Sequence, residues 1–277
     1  MRTIQILKMS GTGNDFLLLD NSAGLLHESE LSKFARAACP RRVSAGADGV
    51  VLIEKATLPG HEFRMRIFNA DGTEAEMCGN GSRCAAVFAS QLGSAGLQQT
   101  IQTLAGTLLA TVAQDGRSAK VRLSQPGRLE VKSGVNVLGE PVALYCLNTG
   151  VPHAVRFVPE VSKVDLKALG PAIRYHETFK PKGANADFVE LLGTGQIRLR
   201  TYERGVEDET LACGTGAAAA AIISGLVHGY ASPVKVNVAS GDVLTIHFEL
   251  DQAKETSTPP YLEGAVKTVY KGEFYWE

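Results

Sequence analysis

The 277-residue chain exceeds the usual single-domain size of roughly 100–200 residues, so two domains are the expectation. Its 28 basic and 29 acidic residues nearly cancel without forming a Lys/Arg run, which argues against a nucleic-acid partner and for a small molecule. The opening MRTIQILKMSGTGND breaks into glycine and charge before a signal-peptide core forms, and no stretch reaches the roughly 18–20 apolar residues that span a bilayer; the expectation is a soluble, cytoplasmic protein with no membrane partner.

Along the chain, β-branched, aromatic or alternating runs between turn signals predict strands TIQILKM from Thr3 and FLLLD from Phe16. Apolar residues at helical spacing predict a helix over ELSKFARAAC from Glu30. Strands VVLIE from Val50 and FRMRIF from Phe63 follow, then an alanine-rich helix after Cys78 and strands TLLATVA from Thr107 and KVRLS from Lys120. The second half reads in the same manner: VALYCLN from Val142, HAVRFV from His153, ADFVELL from Ala186, QIRLRTYE from Gln196, an alanine-rich helix after Cys213, VKVNVA from Val234 and VLTIHFEL from Val243. Each half is therefore an α+β unit with one helix against a curved sheet. Turn residues between Gln114 and Leu138 place the join there, and no linker-like tract exists.

Five cysteines, odd in number and widely spread, fit a reducing compartment better than a disulfide framework. No Cys-x-x-Cys or paired-His spacing builds a tetrahedral site, so no metal is expected. Cys39, Cys84 and Cys146 read as small core hydrophobes. Cys78 and Cys213 differ. MCGNGSRCAA and ACGTGAAAAA both set cysteine before Gly-x-Gly and an alanine-rich helix, half a chain apart, and both follow a strand and a cluster of acidic residues. This spells one unit twice. A cysteine at a helix start meets the positive end of the macrodipole, which lowers its pKa from about 8.5 toward roughly 3.5–7.5, so such a thiol can serve as a base. The glycines leave backbone N–H groups free to close around a carboxylate or phosphate. Gly-x-Gly alone is weak, and the dinucleotide-binding version fails for want of Gly-x-Gly-x-x-Gly in a strand-helix-strand pattern. The pairing of two such motifs suits stereoinversion at carbon: one thiolate removes a proton, and the other thiol returns one to the opposite face.

The segments KMSGTGNDFLLLD, RRVSAGADGVVLIE, FNADGTEAEMCGNGSRCAA, TGVPHAV, GANADFVE, YERGVEDETLACGTGAAAAA and LEGAVKTVYKGEF resemble the cofactor-independent diaminopimelate epimerases, in the family's order and over nearly the whole chain. The resemblance implies two pseudo-symmetric domains, each a strongly curved, mostly antiparallel sheet around a central helix. Residues 1–118 would carry Cys78, residues 119–263 would carry Cys213, and the terminal strand 264–277 would return to the first domain. It further implies a homodimer acting on an amino acid, without pyridoxal phosphate, metal or reducing cofactor. By the same resemblance Cys78 and Cys213 are the acid/base pair, and His153 and Glu203 tune them and hold the α-amino group. Gly79, Asn80, Gly214 and Thr215 match the carboxylate cradle. Asn14, Asn69, Asn185 and Arg204 match residues that recognise the rest of the substrate, Arg204 being suited to a bidentate bond with the distal carboxylate.

Three positions depart from the family's commonest pattern: Ser10 stands where many members have histidine, Gly49 where some have glutamine, and Val151 where Gly-Asn-Pro-His is usual. The last bears on the distal end of the substrate. The expected activity is conversion of LL-diaminopimelate to the meso form, on the route to lysine and peptidoglycan precursors. A broader amino acid racemase on the same scaffold and a non-catalytic amino acid or phosphate binder are the alternatives.

Overall fold

The computed structural model describes residues 1–277 and is mostly sheet, with four α-helices. It divides into two compact units, Met1–Val121 with Gly264–Glu277, and Arg122–Glu263.

In the first unit the strand Arg2–Gly11 pairs antiparallel with Asn14–Asp20 on one side and with Lys267–Trp276 on the other. Thr12 and Gly13, at φ 56° and 89°, form the two-residue hairpin turn, whose left-handed backbone matches the twist of the strands. A crossover through α1 (Glu28–Ala38) leads from Asn14–Asp20 to its parallel neighbour Gly49–Glu54. Residues 16–19 and 50–53 are buried consecutively, as strands covered on both faces require. Phe63–Asn69 runs antiparallel to Gly49–Glu54, the short Glu74–Ala75 folds back on it, and α2 (Gly79–Leu92) crosses to its parallel partner Gln98–Thr103. Gly106–Val112 and Ser118–Arg122 complete a meander. Helix α2 is buried continuously from Asn80 to Ala89, which an alanine-rich helix enclosed by sheet must be, and it ends at Gly93 in the left-handed conformation.

The second unit repeats this path. Glu140–Asn148 pairs antiparallel with Glu130–Val137 and Pro152–Phe157, and the latter lies parallel to Asn185–Gly193 across a connection holding α3 (Leu166–Arg174). Gln196–Glu203 runs antiparallel to Asn185–Gly193, Asp208–Thr210 folds back on it, and α4 (Gly214–His228) crosses to the parallel strand Val234–Asn237, followed by Val243–His247. The order of parallel and antiparallel pairings matches that of the first unit strand for strand. Helix α4, buried from Gly216 to Gly225, packs against strands of the sheet on several sides.

The second half departs from the expected single helix, because α3 is present. Gly170 and Pro171 interrupt its sequence pattern, and both are statistically helix-breaking. Gly170 is there for closeness, since a Cβ would lie 2.6 Å from the Tyr202 ring, and Asp165 caps the helix by accepting from the Ala168 N–H at 3.2 Å. No helix is long and apolar enough to cross a membrane.

One ion network in the first unit sets an acid limit on stability. Lys8 is buried and donates to the Gly46 carbonyl and, at 2.6 Å, to Asp15, which Arg41 also binds at 2.6 and 3.0 Å. Burial raises the Asp15 pKa, but the bonds from Arg41 and Lys8 outweigh it and hold the carboxyl at about 2. A depressed carboxylate stabilises the fold above its unfolded pKa and loses that contribution as pH falls toward the folded value. Asp15→Asn is therefore expected to cost roughly 2 kcal/mol at neutral pH, with the gap to wild type closing between about pH 4 and pH 2. Urea titrations of both proteins across that range measure it; a pH-independent gap would show that the ion network does not act through Asp15 ionisation.

Candidate active site

Cys78 and Cys213 are the N-cap residues of α2 and α4, both in extended conformation, at φ −141° and ψ 119°, and φ −112° and ψ 109°. The first helical bonds run from the Ser82 N–H to the Cys78 carbonyl at 2.8 Å and from the Ala217 N–H to the Cys213 carbonyl at 2.9 Å. The amides ahead of them therefore point out of the helix end, where an anion is favoured. Space is tight on the inner side of each motif. A Cβ on Gly81 would lie 3.2 Å from Ile67, and one on Gly216 would lie 2.8 Å from Asp187 Oδ1 and 3.3 Å from Cys213 Sγ. Cys39 and Cys84 are buried in the core and Cys146 is half-buried.

Around Cys78, the amides of Asn14 and Asn80 are locked together. Asn80 Nδ2 donates to Asn14 Oδ1 at 2.6 Å, and Asn14 Nδ2 donates to Asp48 Oδ2 at 3.1 Å. The fully buried Arg83, one turn into α2, donates to Asn80 Oδ1 at 3.0 Å and to Thr12 Oγ1 at 2.7 Å. These partners fix which way both amides face. Gly79 begins the helix beside Asn80. Asn69 stands apart from this cluster, exposed at the end of Phe63–Asn69 where the turn to Glu74–Ala75 begins, with its side chain donating to Thr73 Oγ1 at 3.0 Å. That turn is held to α1 by Ser32, which donates to the Gly72 carbonyl at 2.7 Å.

Around Cys213 the groups are more buried. His153 enters from Pro152–Phe157, with Nδ1 at 2.7 Å from Asp187 Oδ2 and Nε2 at 3.0 Å from Thr215 Oγ1. Thr215 Oγ1 is 3.4 Å from Cys213 Sγ, which accepts from the Gly216 N–H at 3.4 Å and faces the Asn185 amide at 3.9 Å. Asn185 Oδ1 accepts from the Arg204 N–H at 2.8 Å, so one amide joins the thiol to the turn bearing Arg204. Gly214 opens α4 between the thiol and Thr215. Glu203, at the end of its strand, has its pKa raised chiefly by burial, with the Asp187 charge adding and His153 opposing.

The electrostatics correct one expectation. A helix-start cysteine should be acidified, yet Cys213 is 5% exposed and its pKa is raised well above the ordinary thiol value, first by burial, then by the charges of Glu203 and Asp187. The Thr215 hydroxyl and the Gly216 N–H pull it down without overcoming burial. Unassisted, Cys213 is held as a thiol.

The diaminopimelate epimerase family model matches residues 6–128 and 145–264. A diaminopimelate epimerase from Aquifex aeolicus is 46% identical, with 97% of each chain covered, and one from a Hydrogenobaculum species is 41% identical over 98% of this chain and 99% of that protein. The chain belongs to the diaminopimelate epimerase family. Solved structures extend the fold to distant proteins. A phenazine biosynthesis protein of the PhzF family from Bacillus anthracis superposes with a TM-score of 0.75 at 17% identity, covering all of both chains, and a probable proline racemase from Agrobacterium radiobacter does so at 0.69 and 16%, covering 99% of this chain and 93% of that one. The α+β, two-repeat architecture expected from the sequence is the fold of these proteins.

Asp187, Thr201 and Arg83 escaped the sequence reading. Asp187 left a signal: it lies within NADFV, where all five residues are buried, and an acid inside such a strand needs a dedicated partner. Arg83 offered a weaker one, a lone cation in an otherwise small and apolar helix.

Proposed function

We propose that this chain converts LL-diaminopimelate to meso-diaminopimelate by moving one α-proton between two thiols. The reading is carried by the repeated cysteine N-cap: two units, each presenting a thiol and a set of outward-facing helix amides. One thiolate abstracts the α-proton, and the other thiol protonates the opposite face of the carbanion. The amides of Gly79 and Asn80, and of Gly214 and Thr215, bind the proximal carboxylate and stabilise the negative charge that spreads onto it. His153 and Glu203 serve the thiols and the α-amino group, while Asn14, Asn69, Asn185 and Arg204 receive the remainder of the substrate. Pyridoxal phosphate and metal have no part in these steps. In this reading the protein works as a cytoplasmic homodimer on the route to lysine and peptidoglycan precursors; five cysteines, odd in number and widely spread, suit a reducing compartment.

Proton NMR of LL-diaminopimelate in D2O with reduced enzyme tests the reading. Deuterium should enter the α-position as the meso form accumulates, without added pyridoxal phosphate or metal. A protein that binds the amino acid and exchanges no α-proton would be a binder rather than an epimerase.

Val151 favours a second, broader reading. It is half-buried in the turn before His153, where the family's usual asparagine would offer an amide. An apolar side chain there removes a bond to the distal end of the substrate while leaving the proximal chemistry in place. Val151→Asn is expected to improve kcat/KM for LL-diaminopimelate relative to shorter amino acids by the value of one hydrogen bond, about 0.5–1.5 kcal/mol if neutral and roughly 1.5–3 if made to a charged group. An unchanged ratio would remove Val151 from the specificity determinants.

A further inference from the structure

Asp187 is completely buried, and both of its oxygens are occupied: Oδ1 accepts from Thr201 Oγ1 at 2.6 Å, and Oδ2 faces His153 Nδ1 at 2.7 Å. The Thr201 hydroxyl is buried too, so the carboxylate has a fixed position and orientation. Beyond His153 the contacts continue through Thr215 Oγ1 to Cys213 Sγ, at 3.0 and 3.4 Å. Gly216 closes the side of this row, because a Cβ there would meet Asp187, Cys213 and His153 together at 2.8–3.3 Å. The groups thus form a packed line, from a buried carboxylate to a thiol, in one unit of the protein.

We propose that Asp187, seated by Thr201, is a positioning residue that acts through His153 and the Thr215 hydroxyl to let Cys213 give up its proton and recover it. In the relay Asp187 accepts from His153 Nδ1–H, which leaves Nε2 as the acceptor toward Thr215. The Thr215 hydroxyl then donates to Nε2 and accepts from the Cys213 S–H. When Cys213 ionises along this path, its S–H bond breaks and the proton joins Thr215 Oγ1, while Thr215 passes its own proton to His153 Nε2. The products are a thiolate, a hydroxyl turned to donate to it, and an imidazolium between that hydroxyl and Asp187. Every proton is accounted for, and the reverse transfer restores the thiol.

Asp187 bears on Cys213 in two opposite ways, which makes the proposal decidable. Through space its charge opposes a thiolate; through the relay it stabilises the imidazolium that ionisation creates. The titratable groups facing Cys213 from the surrounding strands are His153, Asp187 and Glu203, and α4 adds the Gly216 N–H. Asp187→Asn keeps the shape of the side chain, leaves Glu203 in place and removes the charge. If Asp187 acted only through space, its loss would ease ionisation of Cys213. If the relay operates, its loss would hinder it.

The proposal rests on Cys213 being a proton carrier, but its test needs no turnover. Iodoacetamide alkylation of the substrate-free full-length protein, followed across pH by peptide mass spectrometry, reads Cys213 and Cys78 separately. Asp187→Asn should move the Cys213 midpoint upward by about one pH unit, a roughly tenfold slower alkylation at fixed pH below the midpoint, and leave Cys78 where it was. Thr215→Val should reproduce the shift and Thr215→Ser should abolish it, since serine restores the hydroxyl. Thr201→Val should give a smaller upward shift and supplies the reading should Asp187→Asn not fold. A Cys213 midpoint that stays or falls in Asp187→Asn, or moves together with that of Cys78, overturns the relay. An upward shift in a protein that fails to exchange the α-proton of diaminopimelate would instead leave the relay standing and refute the epimerase reading.

Discussion

Cys78→Ala and Cys213→Ala should each abolish epimerisation of LL-diaminopimelate, with losses well beyond the roughly 10²–10⁴ assigned to an ordinary general base. An ordinary base can be partly replaced by water. In the proposed two-thiol mechanism each thiol must serve as donor in one direction and acceptor in the other, so removing either leaves a carbanion that is returned only to the face it came from. Steady-state rates in both directions, with the fold monitored by circular dichroism, measure the effect. Cys84→Ala is the control: the side chain is fully buried in α2 and its thiol is pushed up to about 12, chiefly by burial, so it stays a thiol and hands on no proton at working pH. Turnover near wild type in either of the first two variants would end the two-thiol mechanism.

The largest loss of stability is expected from Phe34→Ala. Phe34 is fully buried on α1 and meets Phe274 and Trp276 edge-on, with ring centroids 5.2 and 5.4 Å away. Truncation removes its buried area and leaves a cavity under two aromatics that cannot collapse inward without breaking their strand, which places the cost at about 3–5 kcal/mol. Differential scanning calorimetry should show the melting temperature lowered by roughly 10 °C at 2–4 °C per kcal/mol. A fall of less than about 3 °C would mean that the C-terminal aromatics are held by other contacts.

The repeat was legible because it is spelled locally: cysteine, two glycines, alanines. A helix N-cap is a short-range device, and both N-caps lie at those residues. The strand runs were legible for the same reason, since burial on both faces demands unbroken apolar stretches such as FLLLD and VVLIE. What escaped depends on pairing between distant segments. Gly170 discourages a helix until Tyr202 is seen against it. Asp187 is a single acid in a strand, and its meaning comes from His153, thirty-four residues earlier, and Thr201 on the neighbouring strand. The ionisation of Cys213 escaped as well, because the helix-end effect is local whereas burial and the charges of Glu203 and Asp187 come from the assembled sheet.

The pairing of Lys267–Trp276 with Arg2–Gly11 has a consequence for how the chain is made. On the ribosome the first unit cannot close when its own first 121 residues emerge, because the strand beside Arg2–Gly11 and the rings that cover Phe34 are made only after the whole of the second unit. The second unit is continuous from Arg122 to Glu263 and waits for nothing later. The usual N-terminal-first order of vectorial folding is thereby inverted: the unit bearing Cys213 completes ahead of the one bearing Cys78. Until that strand arrives, the nascent chain carries an open sheet edge along Arg2–Gly11, able to pair with another chain.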